Sequence, residues 1–349
     1  MNKKRLTYVQ VEFLCEQLSM ILDSGMSVSD GLELLCSDTD DKLMKSVCTE
    51  ISGETEKGVP LSEAMRGSGR FPDYAADMVR LGELNGKLEE VLRGLAEYYE
   101  DRDDIRRLLR SAVMRPMVLL LMMTVVIIVL VAAVIPMFGD IFSQFDSSVN
   151  AAVQQTVSLA YNAGIVIMIV LLAIIALSAA AALLSVFGKS GEILRKAAAV
   201  FPLSRGISEK LALSDLTKAV SISVSAGVSP TEMLLHSNIR SFIRDKRLAA
   251  KYDDCEKRVL DGGSFPDAII ESKLLPPLYA KSLKLAYNSG CFESVWRKIS
   301  DSYNEEASRS LMNITAVIEP AIIVILGLLI GAILLMLMIP LMNIMSVLG

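Results

Sequence analysis

Three long stretches of this chain contain no Asp, Glu, Lys or Arg. They lie between Arg115 and Asp140 (24 residues), between Asp146 and Lys189 (42 residues) and after Glu319 to the end (30 residues). A helix needs about 20 apolar residues to cross the hydrocarbon core of a bilayer. Runs such as "VLLLMMTVVIIVLVAAVIPMF" are too long and too apolar on every face to be the buried helix of a water-soluble domain. Membrane helices are therefore expected over residues 116–138, 163–188 and 317–342. The whole-chain averages, 52% hydrophobic and 21% charged with a mean hydropathy of +0.45, hide this contrast. They exclude a disordered chain, which needs low hydrophobicity, and five Cys are too few for a disulfide scaffold of this length.

Flanking Lys and Arg orient the spans. Arg102, Arg106, Arg107, Arg110 and Arg115 precede the first, and Lys189, Arg195, Lys196, Arg205 and Lys210 follow the second. The loop between them holds Asp140 and Asp146 and no cation. Residues 1–115 and 189–316 are thus expected to be cytoplasmic, and the 139–162 loop and the 343–349 tail to lie outside. "MNKKRLTYVQVEFLCEQ" has no apolar core, so no cleaved signal peptide is expected. Cys15, Cys36, Cys48, Cys255 and Cys291 all fall in the cytoplasmic parts and form no C-x-x-C pair, and His236 is the only His. Reduced structural thiols are expected, and no Cys/His metal site.

The two charged segments read as copies of one unit. An offset of 204 matches Gly58 to Gly262, Pro72 to Pro276, Leu81 to Leu285, Gly86 to Gly290, Tyr99 to Tyr303 and Pro116 to Pro320. Upstream the offset is 202, matching Leu14 to Leu216 and Gly25 to Gly227. Within each copy the apolar spacing is helical. Phe13, Leu14, Leu18, Ile21 and Leu22 share a face, and Leu88, Val91, Leu92, Leu95 and Ile105 continue a long one. Gly25 marks a helix C-terminus, Ser27 or Ser29 an N-cap, and Phe71-Pro72 a helix start. The expected fold class is an all-α membrane protein: two homologous cytoplasmic bundles of about six helices and three transmembrane helices.

Chemistry is hard to find. "GKS" at Gly188-Lys189-Ser190 lacks the earlier glycine of a P-loop and a preceding strand, so no phosphate cradle forms. Glu97, Glu100, Asp101, Asp103 and Asp104 could supply oxygen ligands to a divalent cation. Without a glycine-containing loop to aim them, the favoured reading is a solvated helix face, with Asp103 near Arg106 and Arg107. The spans carry no titratable group in their cores, which disfavours a channel or transporter. Glu319 stands at the mouth of span three. Gly327 and Gly331 form a G-x-x-x-G suited to helix packing, and Pro136 and Pro340 mark the outer ends of spans one and three. No catalytic residue, metal site or cofactor is expected.

At "LGELNGKLEEVL" and "RPMVLLLMMTVVIIVLVAAVIPMF" the chain resembles the polytopic platform proteins of type II secretion and type IV pilus machines, the GspF/PilC family. The pattern is met at Gly82, Glu83, Gly86, Leu88, Pro116 and Pro136, and again at Glu319-Pro320. The second copy departs from it, with Ala286-Tyr287 in place of Gly82-Glu83. The chain also begins almost at the first copy, without the N-terminal extension of many members. The resemblance implies a non-enzymatic, multi-pass protein of the cytoplasmic (inner) membrane. It further implies contact with a cytoplasmic assembly ATPase, with pilin or pseudopilin subunits and with other assembly proteins, in a homo-oligomer, with no nucleic acid partner. Gly82, Glu83, Gly86 and Glu319 are then candidates for partner contact or structure. The competing class is a membrane transporter or permease subunit. Residues 1–115 carry 16 basic and 22 acidic residues, and residues 189–319 carry 19 and 16. Opposite net charge favours contact between the copies or with different partners, and two independently solvated surfaces account for it equally well.

Overall fold

The computed structural model describes residues 5–134, 202–236 and 245–348, with isolated positions between them (136, 137, 140, 158, 162, 164–166, 169, 172, 173, 240 and 243). Most of the expected second span, 163–188, and of the 139–162 loop lies outside the described residues.

Every regular element among the described residues is helical. The first copy forms α1 (Tyr8–Asp23), α2 (Val28–Asp38), α3 (Lys42–Thr55), α4 (Leu61–Ser68), α5 (Asp73–Asn85) and α6 (Leu88–Val129). The second forms α7 (Pro202–Ser225), α8 (Pro230–His236), α9 (Lys246–Leu260), α10 (Phe265–Glu271), α11 (Pro277–Ser289) and α12 (Phe292–Leu348). Side-chain oxygens start most of the short helices. Thr7 and Gln10 make a capping box on α1, Ser27 caps α2 and Asp41 caps α3. In the second copy Ser229, Asp245 and Ser264 repeat this on α8, α9 and α10. Each cap satisfies amide donors that the first helical turn leaves unpaired.

These caps also locate the change of offset. Ser27 and Ser229 differ by 202, and Asp41 and Asp245 by 204. The two extra residues therefore lie between Ser229 and Asp245.

The chain divides into two compact units. One comprises residues 1–107 and 203–309, so both copies share it; the other comprises 108–202 and 310–349. In the first unit a single apolar core runs through α1, α3, α5, α6, α7, α9 and α12, with Leu14, Leu18, Ile51, Leu92, Leu95, Tyr252 and Trp296 fully enclosed. The helix α7 is buried on two faces, and its composition explains how. Ala212, Ala219 and Ser223 are all buried. The equivalent positions of α1 are Gln10, Gln17 and Ile21. Small residues let a second helix approach closely; the longer side chains of α1 do not.

In the second unit the charge-free end of α6 continues into a π-helical turn, Leu130–Val134, just before Pro136. Proline cannot donate its amide and crowds the preceding turn, and a widened turn relieves both. Met123, Thr124, Ile127 and Val131 are buried along one face. A Cβ at Gly164 would meet Val131 Cγ2 at 2.5 Å, so a larger residue there would have to displace Val131. Val118, Leu121, Met122 and Val125 are exposed. Among the described residues one helix, Leu88–Val134, is long and apolar enough to cross a membrane, and Glu319–Ala332 is a shorter apolar stretch. Both α6 and α12 run unbroken through their expected span-boundary prolines, Pro116 and Pro320.

Candidate functional site

The signature residues Gly82, Glu83 and Gly86 cluster where α5 meets α6. Gly86 ends α5 with a left-handed backbone (φ 65°), a conformation that favours glycine. Gly82 is buried against α6, where an added Cβ would sit 3.0 Å from Val91 Cγ2 and 3.1 Å from the Leu88 backbone. Glu83 lies in the last turn of α5 and reaches the start of α4. Its carboxylate accepts from the Ser62 hydroxyl and from the Ser62 amide, the latter at 3.4 Å to each oxygen. The N-cap of α4 is Pro60, which has no side-chain acceptor. Glu83 thus supplies from another helix the negative charge that a helix N-terminus favours.

The second copy shows why it has no such glutamate. The counterpart of Pro60 is Ser264, which caps α10 itself by accepting from the Asp267 amide. With that terminus satisfied, the counterpart of Glu83 is Tyr287, an exposed residue stacked edge-on to Phe292.

The acidic cluster does more than the sequence reading allows. Glu100 and Asp104 are exposed, and Asp103 pairs with Arg107 at 2.6 Å, as expected of a solvated face. Glu97 and Asp101 instead join the two copies. Lys218 on α7 lies 3.4 Å from Glu97 and 3.0 Å from Asp101. On α12, Arg297 meets Glu97 at 3.0 Å and Asn304 donates to Asp101 at 2.7 Å. One turn further, Arg102 pairs with Asp215 at 2.9 Å and donates to the Tyr98 hydroxyl. Burial opposes the Arg102 charge, but Asp215 and the Tyr98 hydroxyl outweigh it and hold the guanidinium above its usual range. Burial also pushes Tyr98 up to about 12. No group of acidic, Cys or His side chains able to hold a metal occurs among the described residues.

The same contact has an apolar notch. Gly94 on α6 faces Ile222 on α7, and a Cβ at 94 would lie 3.0 Å from Ile222 Cγ1. Ser223 donates to the Met78 sulfur at 3.6 Å, and the Trp296 indole N–H donates to the Thr217 carbonyl at 2.8 Å, so α7 is bonded on both sides. A cavity of about 50 Å³ remains, lined by Arg93, Glu97, Lys218, Ile222, Arg297 and Asp301 among others. Its charges are of both signs. Gly94, Lys218 and Ile222 were not legible as site residues; the small-residue stripe of α7, absent from α1, was the available signal.

The remaining candidates belong to the second unit. Glu319 is exposed within α12. A Cβ at Gly327 or Gly331 would meet nothing within 4 Å. Pro136 is exposed, and Pro340 lies within α12.

Comparison with known proteins gives the context. Two stretches, residues 14–136 and 216–340, match the family described as type II secretion system protein F. The chain belongs to that family. The two matches start at Leu14 and Leu216 and end at Pro136 and Pro340, residues that the sequence paired at offsets of 202 and 204. Among the relatives of this family member is the type 4 fimbrial assembly protein PilC of Pseudomonas putida. It is 25% identical over 326 residues, covering 93% of this chain and 81% of the relative. The type II secretion system protein F of Vibrio cholerae is 23% identical, covering 93% and 80%. A protein transport protein HofC homolog of Escherichia coli is 22% identical, covering 93% and 81%.

Proposed function

We propose that this chain is a non-enzymatic membrane platform for assembling a pilus or secretion pseudopilus. The observation that carries the reading is the family match over both copies, each containing a helix that runs from a charged unit into a charge-free segment. In this reading the spans are 116–138, 163–188 and 317–342. Both copies face the cytoplasm, and the 139–162 loop and the C-terminus lie outside the inner membrane. The acid–base contact between copies is then cytoplasmic, where an assembly ATPase acts, and the apolar faces of α6 and α12 are available to pilin-like helices and other membrane components. Gly327 and Gly331, open on α12, suit such close helix packing or self-association.

Deletion and complementation test the function: loss of surface filaments or of secretion is expected, restored by the intact gene. Unchanged filaments and secretion overturn it. Reporter fusions after residues 115, 150, 250 and 349 test the topology, with inside, outside, inside and outside the expected order.

A further inference from the structure

The first copy sets two thiols side by side. Cys36 lies in the last turn of α2 and Cys48 within α3, and the short connection 39–41 folds α3 back along α2. Thr49 Oγ1, on the residue after Cys48, is 3.6 Å from the Cys36 sulfur. The Cys36 thiol itself is within hydrogen-bond reach of the Cys48 thiol. The two differ in access: Cys48 is buried and Cys36 is half-buried. Burial first, and the adjoining Cys36 thiol second, push Cys48 up to about 12. Cys48 therefore stays protonated at neutral pH, and Cys36 is the member that a small solute can meet.

The second copy closes the same place without a thiol pair. The counterpart of Cys48 is Tyr252. Tyr252 is buried, and its hydroxyl donates to the Leu234 carbonyl of α8 at 3.2 Å. Cys255, one turn further along α9, hydrogen-bonds with Ser272. A phenol ties the two helices there, and a phenol cannot form a disulfide.

We propose that Cys36 and Cys48 are a redox pair: a hydroperoxide oxidises Cys36, and Cys48 resolves it into an intramolecular disulfide that links α2 to α3. The Cys36 sulfur attacks the peroxide and the O–O bond breaks. Cys36 becomes a sulfenic acid, and the leaving oxygen takes the thiol proton; with hydrogen peroxide it departs as water. The Cys48 sulfur then attacks the Cys36 sulfur, the S–O bond breaks and the S–S bond forms. The Cys48 proton leaves with the hydroxyl group as a second water. The two thiols lose two electrons and the peroxide gains two. In the cytoplasmic placement proposed above, reducing thiols reopen the bond, and the disulfide is transient.

The test uses the full-length chain in detergent with Cys291→Ser, which removes the exposed competing thiol. Hydrogen peroxide is added, free thiols are alkylated after denaturation, and the digest is analysed by mass spectrometry without reduction. A peptide pair joined through Cys36 and Cys48 should form, vanish on treatment with dithiothreitol, and leave Cys15 and Cys255 alkylated. In Cys48→Ser the reaction should stop at a Cys36 sulfenic acid that dimedone traps. In Cys36→Ser, oxidation of Cys48 should slow several-fold, since the accessible partner is gone. The same joined peptides should form in the chain with all its native cysteines, so the result does not depend on any variant folding. Absence of the 36–48 link, preferential linkage of another pair, or oxidation of Cys48 at an unchanged rate in Cys36→Ser overturns the proposal.

Discussion

Glu83 caps the first turn of α4 from the last turn of α5, its carboxylate accepting from both the amide and the hydroxyl of Ser62. The glutamate of the family signature therefore has a structural task that the second copy performs with Ser264. Glu83→Ala should lower stability by about 0.5–2 kcal/mol, the usual cost of a lost N-cap. Pro60→Ser, which imports the second copy's solution, should restore most of it. Thermal melting in detergent reads both; an unshifted melt for Glu83→Ala removes the capping role.

The close approach of Gly94 to Ile222 predicts a compensating pair. Gly94→Leu overfills the notch between the copies and should destabilise by about 1–3 kcal/mol. Ile222→Ala vacates the space that the leucine needs. The double variant should then be more stable than the sum of the single changes implies, since contacting residues couple. Simple additivity would show that the two do not touch.

Two equivalent tyrosines, Tyr99 and Tyr303, are buried with hydroxyls that find no hydrogen-bond partner among the described residues. A buried, unsatisfied polar group costs about 1–3 kcal/mol. Tyr99→Phe and Tyr303→Phe should therefore be neutral or stabilising in chemical denaturation. Marked loss of stability would reveal a partner for the hydroxyl.

Burial raises the thiols of Cys15 and Cys48 from 9.0 to about 12. In the unfolded chain both ionise near the ordinary value, so the folded state holds its protons more tightly at alkaline pH. The stability this contributes is full below pH 9.0 and is lost as pH rises toward about 12. Denaturation midpoints should fall across that window, and less steeply in Cys15→Ala. In the native chain at neutral pH, the exposed Cys291 should react with a thiol reagent well before buried Cys15, Cys48 and Cys255. Uniform reaction of all four would contradict their burial.

The amino-acid sequence by itself determined the helical class, the repeat and the charge-free segments. These are written in local spacing: period-3.6 apolar faces, caps such as Ser27 and Asp41, and the absence of ionisable groups over a bilayer's thickness. It also exposed the one asymmetry of the signature, Glu83 against Tyr287, though without its cause. The tertiary structure alone decided which charged groups are solvated. Glu97 and Asp104, seven residues apart, share one helix face, yet the first joins the copies and the second is exposed. The difference rests on Lys218 and Arg297, more than a hundred residues distant in sequence, and on whether α7 can come close enough to bring Lys218 there. Helical periodicity specifies the direction in which a side chain points, and only packing specifies what it meets.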